Sequence, residues 1–215
     1  MALTLVIGNK NYSSWSLRAW LGVFQTGESF EEVVIPLDQP DTAQSIARWS
    51  PAGRVPILRD GELTVWDSLS ILEYLAERFP GARLLPADRA ARARCRSVAA
   101  EMHAGFAALR EAMPMNIRLH APGRAVGAEV AANIGRICAI WRDCLAASGG
   151  PFLFGGLTVA DCMYAPVVTR FRTYAVPLDG AEARYAQTVW EWPGMKRWVV
   201  EAQAEPWKNP KYDVP

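Results

Sequence analysis

The sequence predicts two unlike halves, an α/β domain followed by an all-α domain. Three observations predict this. Short apolar runs alternate with helical patterns up to Gly81, the composition then shifts to an Ala/Arg-rich segment, and helical periodicity is almost continuous from there to about residue 203.

Each element follows from its own residues. "LTLVIG" (3–8) is short, apolar and bounded by Gly8-Asn9, as a buried strand should be. "SLRAWLGVFQTG" places Leu17, Trp20, Leu21 and Phe24 at helical spacing, and Gly27 stops it. "FEEVVIPL" reads as a second strand ended by Pro36. "RVPILRDGELTVWD" reads as two strands around Asp60-Gly61, a strong hairpin signal. "SLSILEYLAERFPG" is a helix with Leu69, Leu72, Leu75 and Ala76 on one face, closed by Pro80-Gly81. The order from pattern alone is β-α-β, a loop, then β-β-α. Beyond the linker, helices are expected at about 87–113, 124–148, 158–174, 181–189 and 193–203, with breaks at "MP", "APG", "SGGPF" and "WPG". The divisions are therefore 1–81, a linker at 82–88, and 89–215.

Bulk properties exclude several function classes. The chain has 215 residues, 51% hydrophobic and 21% charged, which suits a globular core rather than disorder. A formal net charge of +1, spread along the chain, is not the electrostatic footprint of a nucleic-acid binder. No apolar run is long enough to span a bilayer, and the N-terminus has no signal-peptide pattern. A cytoplasmic protein is expected. Cys95, Cys138, Cys144 and Cys162 have no C-x-x-C spacing, and His103 and His120 complete no ligand cluster, so no metal site is expected.

Three segments carry a resemblance. "SPAGRVPIL" (50–58), "WDSLSILEYLAERFP" (66–80) and "LTVADCMYAPVV" (157–168) resemble, in order and separation, the motifs of the cytosolic glutathione transferases. The likeness covers almost the whole chain apart from the tail after about residue 204. It implies a thioredoxin-like β-α-β-α-β-β-α domain followed by a helical bundle, glutathione as co-substrate, no metal, and a homodimer. It also implies that Val55-Pro56 is cis and that the backbone of Val55 pairs with the cysteinyl part of glutathione. Arg54, Val55, Pro56, Asp67 and Ser68 are then the glutathione-binding residues. Asp67-Ser68 is in any case a good N-cap, and the free N–H groups of the helix it starts suit a carboxylate. Thr158 to Asp161 reads as a capping box with a structural role.

The stretch "NYSSWSLRAW" (11–20) carries the candidate chemistry. A hydroxyl at the start of the first helix can stabilise a sulfur anion. Ser-type members of the family resemble Ser13 with Arg18 five residues on, so Ser13 is the expected thiol-activating residue and Ser14 the fallback. Tyr12 is a weaker candidate. "SSWSLR" also resembles the zeta-class box "SSCSxR", whose members include a glutathione-dependent maleylacetoacetate isomerase. Two departures count against that activity: Trp15 replaces the cysteine, and the arginine that would hold a substrate carboxylate falls on Thr173, with Arg170 and Arg172 near enough to substitute. The expected electrophile is apolar, with Trp15, Met102, Phe106 and Met115 as pocket wall. A non-catalytic transferase-like binding module is a further alternative. The tail "AEPWKNPKYDVP" has no periodicity that places it.

Overall fold

A computed structural model describes residues 3–213. Four strands form one sheet: β1 (Leu3–Gly8), β2 (Phe30–Ile35), β3 (Ile57–Asp60) and β4 (Leu63–Trp66), in the order β2-β1-β3-β4. β1 runs parallel to β2, with Leu3 opposite Phe30, and antiparallel to β3, with Leu3 opposite Asp60. The β3–β4 hairpin turns at Gly61-Glu62, immediately after the predicted Asp60.

β1 is apolar apart from Thr4 because both of its faces are covered. Leu5 and Ile7 enter the main core with Leu17, Leu21, Leu72 and Leu75 of helices α1 (Ser14–Thr26) and α3 (Ser68–Arg78). Val6 points the other way, into a small cluster with Ile35, Ile57 and Ile46. Ile46 belongs to α2 (Thr42–Ala47), a short helix in the segment that pattern alone reads as a loop.

The second half is helical: α4 (Arg89–Ala104), α5 (Ala107–Ala112), α6 (Ala128–Ser148), α7 (Val159–Thr173), α8 (Gly180–Glu191) and α9 (Pro193–Ala204). The single helix expected over 87–113 is in fact two. Gly105 closes α4 by donating its N–H to the Glu101 carbonyl at 2.8 Å, and a Cβ there would lie 2.7 Å from the same oxygen. Phe106 follows with a left-handed φ of 59°, so the chain turns before α5.

α7 is buried along almost its whole length and packs against α1, which is how the helical half supports the sheet half. Its start is held by Asp161, whose buried carboxylate accepts from the N–H of Thr158 at 2.8 Å, the Thr158 hydroxyl at 2.9 Å and the N–H of Leu153 at 3.0 Å. Burial pushes this carboxyl up to about 6. A second tie sits at the end of β1, where the buried Lys10 ammonium lies 2.6 Å from Glu32, also meets Glu201 of α9, and rests over the rings of Trp20 and Trp198.

Candidate functional site

The start of α1 presents two serines of different standing. Ser13 is the N-cap, and its Oγ accepts the N–H of Ser16 at 3.3 Å. The Ser13 and Ser16 hydroxyls lie 2.7 Å apart, and Ser16 Oγ also accepts the N–H of Gly8 at 3.0 Å. Gly8 N–H, Ser16 and Ser13 thus form a short chain of hydrogen bonds running from the end of β1 to the cavity edge. Ser16 is fully buried, and its Oγ accepts from both the Ser13 hydroxyl and the Gly8 N–H. The Ser13 proton is thus donated to Ser16 in the free chain, and an anion at the cavity edge would compete for it. The Ser14 hydroxyl has no hydrogen-bond partner among the described residues.

Tyr12 is differently engaged. Its hydroxyl accepts from Arg118 and from the N–H of Asn209, each at 3.0 Å, and donates to Asp213 at 2.8 Å. Both lone pairs and the proton are occupied, so Tyr12 anchors the tail. Arg118 also donates to the carbonyls of Glu205 and Trp207, and Asn116 donates to Asp213 and to the carbonyl of Tyr212. The tail that pattern could not place is therefore strapped beside α1.

A first cavity, of about 540 Å³, lies at the start of α3 and is lined by Ala52, Arg54, Val55, Pro56, Trp66, Asp67, Ser68, His103 and Trp15. The Val55-Pro56 bond is cis. The N–H and C=O of Val55 have no partner among the described residues. Asp67 caps α3 through Oδ1, which accepts from Leu69 at 2.9 Å and Ser70 at 3.4 Å. Its Oδ2 lies 3.4 Å from His103 Nε2. Asp67 has φ 73° and ψ 133°, a region an L-residue occupies only at a cost and one that recurs at functional sites. Next to it the Ser68 hydroxyl is completely buried and has no hydrogen-bond partner among the described residues. An orphaned buried hydroxyl costs about 1–3 kcal/mol, which a ligand acceptor would offset.

A second cavity, of about 420 Å³, adjoins the start of α1. Asn9, Tyr12, Ser13, Ser14, Trp15, Arg110, Pro114, Met115, Arg170 and tail residues Trp207 to Asn209 are among its lining. Trp15 borders both cavities. Beneath its ring, 4.3 Å from the centroid, sits the Arg18 guanidinium, fully buried with all three nitrogens unpartnered among the described residues. Burial first, then the nearby Arg170 and Arg110, pushes Arg18 down to about 9.

Sequence comparison agrees with this geometry. The N-terminal domain of glutathione S-transferases matches residues 12–78, and their C-terminal domain matches residues 124–200. The chain belongs to the glutathione S-transferase family. A dichloromethane dehalogenase of Methylorubrum extorquens is 40% identical over 62 residues, 28% of this chain but only 22% of that protein. A stringent starvation protein A homolog of Coxiella burnetii is 25% identical over 79% of both chains. A probable maleylacetoacetate isomerase of Vibrio cholerae is 40% identical over 57 residues, 26% of each chain. The matches to the dehalogenase and the isomerase thus span about a quarter or less of those relatives. Among solved structures, a Burkholderia glutathione transferase homolog with bound glutathione superposes with a TM-score of 0.73 at 24% identity, covering 95% of this chain and all of its own.

Within this transferase fold, the motif residues Arg54, Val55, Pro56, Asp67 and Ser68 come together at one cavity, and Ser13 and Ser14 at the next. The expected pocket wall is only half present. Trp15 and Met115 line the second cavity, but Met102 and Phe106 do not. Met102 is fully buried on the core face of α4, and the left-handed turn at Phe106 directs that ring into the same core. Arg110, Arg170 and the tail stand in the wall instead. His103 and Trp66 at the first cavity were not foreseen as lining. Pattern spaces His103, Phe106 and Arg110 three and four residues apart along one expected helix face, but does not say which face meets the sheet domain.

Proposed function

We propose that this transferase binds glutathione across the starts of α1 and α3 and lowers the pKa of its thiol at Ser13 for attack on an electrophile. The buried, partnerless Ser68 hydroxyl beside the α3 N-terminus carries the reading. It suits the α-carboxylate of the γ-glutamyl group, with Asp67 Oδ2 accepting from its ammonium and the backbone of Val55 pairing with the cysteinyl residue. Arg54 stands at the same rim. The Burkholderia homolog, which is described with bound glutathione, supports the same ligand here.

The energetics suffice without a general base. A free thiol titrates near pH 8.5, and lowering that by two units needs about 2.7 kcal/mol. A hydroxyl donating to an anion supplies roughly 1.5–3 kcal/mol, and a helix N-terminus about 0.3–1 kcal/mol. Ser13 is the preferred donor, because it caps α1 at the cavity edge and a thiolate is a stronger acceptor for its proton than the neutral Ser16 hydroxyl. The Ser14 hydroxyl is a second donor. The thiolate forms a C–S bond as the leaving group departs with its electron pair. Met115, Pro114 and Trp15 offer the apolar part of the wall to the electrophile's body. A homodimer follows from the family habit of packing the first domain on the partner's helical domain.

Calorimetry with glutathione and conjugation of an aryl halide test this together. Ser13→Ala should cut turnover while retaining most of the glutathione affinity. Full activity in Ser13→Ala with a dead Ser14→Ala moves the role by one residue. No glutathione binding by the wild type ends the reading. A second reading, glutathione-dependent cis–trans isomerisation, is favoured by the "SSWSLR" box and the Vibrio relative. Turnover of maleylacetoacetate without consumption of glutathione would select it. The starvation-protein relative raises a non-catalytic binding module, against which the intact Ser13 and Asp67-Ser68 pair speaks.

A further inference from the structure

We propose that the second cavity takes an anionic group, a carboxylate or its equivalent, carried by the second substrate and held between Arg110 and Arg170. The glutathione reading enters only in where it places the sulfur.

The charges around this cavity are unbalanced. Arg110, Arg170 and Lys208 line it, against Asp38 as the one acid. Asp38 stands at the exposed rim, where its carboxylate already accepts from the side chain of Asn209. Arg170 is only 3% exposed. Its Nε donates to the Met113 carbonyl at 2.8 Å and its Nη1 to the Pro166 carbonyl at 3.2 Å, which leaves Nη2 without a partner among the described residues. Arg110, half-buried, donates one nitrogen to the His103 carbonyl at 3.2 Å, and its other nitrogens have no partner. Behind them Arg18 has none at all. Among the described residues no carboxylate lies within salt-bridge distance of any of the three. Burial and mutual repulsion push Arg18 and Arg170 down, as expected of guanidinium groups gathered without a counter-charge.

Buried charges of one sign are ordinarily paired. Two guanidinium groups at the cavity wall without a carboxylate partner, backed by a third buried behind them, make sense as a preformed anion site, since a planar fork matches a carboxylate in two-point contact. The site also differs from the one the zeta-type box would bring. The position that would carry that arginine is Thr173, which is buried and donates its hydroxyl to the Asn116 carbonyl at 2.9 Å. Here the charge comes from Arg170, three residues earlier on α7, and from Arg110 on α5. Trp15, stacked on Arg18 and 5.4 Å from the Arg110 guanidinium, walls the arginines off from the glutathione cavity. The substrate class that fits has an apolar body against Met115 and Pro114 and an anionic end toward the arginines.

The test compares S-(4-carboxybenzyl)glutathione with its neutral counterpart S-(4-carbamoylbenzyl)glutathione by calorimetry. The wild type should bind the carboxylate about tenfold or more tighter. In Arg110→Gln, at a half-exposed position that leaves folding intact, that ratio should fall to within about threefold. Lys208→Gln, at the rim, should lower it less. Equal binding of the pair by the wild type, or an undiminished ratio in Arg110→Gln, overturns the proposal. The same comparison with free 4-nitrobenzoate and 4-nitrobenzamide needs no glutathione site. If glutathione itself does not bind, the proposed function fails, and this second pair still decides for or against the anion site.

Discussion

Removing the Ser68 hydroxyl should weaken glutathione binding without weakening the protein. In the free chain this hydroxyl is fully buried and makes no hydrogen bond, so it contributes a burial cost of about 1–3 kcal/mol and no compensating bond. Ser68→Ala deletes that cost and leaves a methyl group at a buried position. Stability should therefore hold or rise by up to about 1 kcal/mol, which for a chain of this size is about 2–4 °C in Tm. In the proposed complex with glutathione the hydroxyl would donate to a carboxylate, a bond worth roughly 1.5–3 kcal/mol. Its loss should raise the Kd about 10- to 150-fold. Urea denaturation and titration calorimetry read the two effects on the same variant. A loss of more than about 1 kcal/mol of stability with an unchanged Kd would refute the reasoning, because it would mean that the hydroxyl has a structural partner and no ligand.

Other expectations follow from the same contacts. Asp161→Asn leaves the N–H of Thr158 or Leu153 facing an amide and should cost on the order of 2–5 kcal/mol in urea denaturation, with kcat/KM of the folded fraction unchanged. The Asp161 carboxyl is raised to about 6 when folded, so between about pH 4 and pH 6 the native state holds a proton that the unfolded chain has released. Stability should therefore fall across that window by at most about 1.4 kcal/mol per pH unit and level off above it, and a stability–pH profile of Asp161→Asn should lack that slope. Ser13→Ala should raise the pKa of bound glutathione and Ser16→Ala should not, since the latter removes only the acceptor that competes for the Ser13 proton; ultraviolet thiolate absorbance measures both. Tyr12→Phe should speed hydrogen exchange over 205–213 and leave the bound thiol's pKa unchanged, whereas a tyrosine that activates the thiol would raise it.

The sheet and the first cavity were legible because their signals are local. A buried central strand is apolar along its length, a hairpin declares itself at Asp60-Gly61, and Asp67-Ser68 caps whatever helix follows. The break at Gly105-Phe106 was not, because a glycine within helical periodicity is usually tolerated. Here the constraint is the approach to the Glu101 carbonyl, which periodicity does not encode. The second cavity was only half legible for a related reason. Its wall joins α1, α5, α7 and the tail through hydrogen bonds such as those of Arg118 to the carbonyls of Glu205 and Trp207, which reach across most of the helical half. No spacing announces such a contact. One signal was present: Arg170 stands in a segment otherwise apolar enough to be buried all round, and a charge there asks for a reason. Met102 and Phe106 misled because an apolar side chain facing a pocket and one facing the core look the same in sequence.

The most direct test of the central claim is the pKa of the glutathione thiol in the complex, read from thiolate absorbance across pH in the wild type and in Ser13→Ala. Activation at the start of α1 predicts a bound thiol about two units below the free value near 8.5, with most of that shift lost in Ser13→Ala. A bound thiol that titrates near 8.5, or a Ser13→Ala complex that titrates with the wild type, would contradict it.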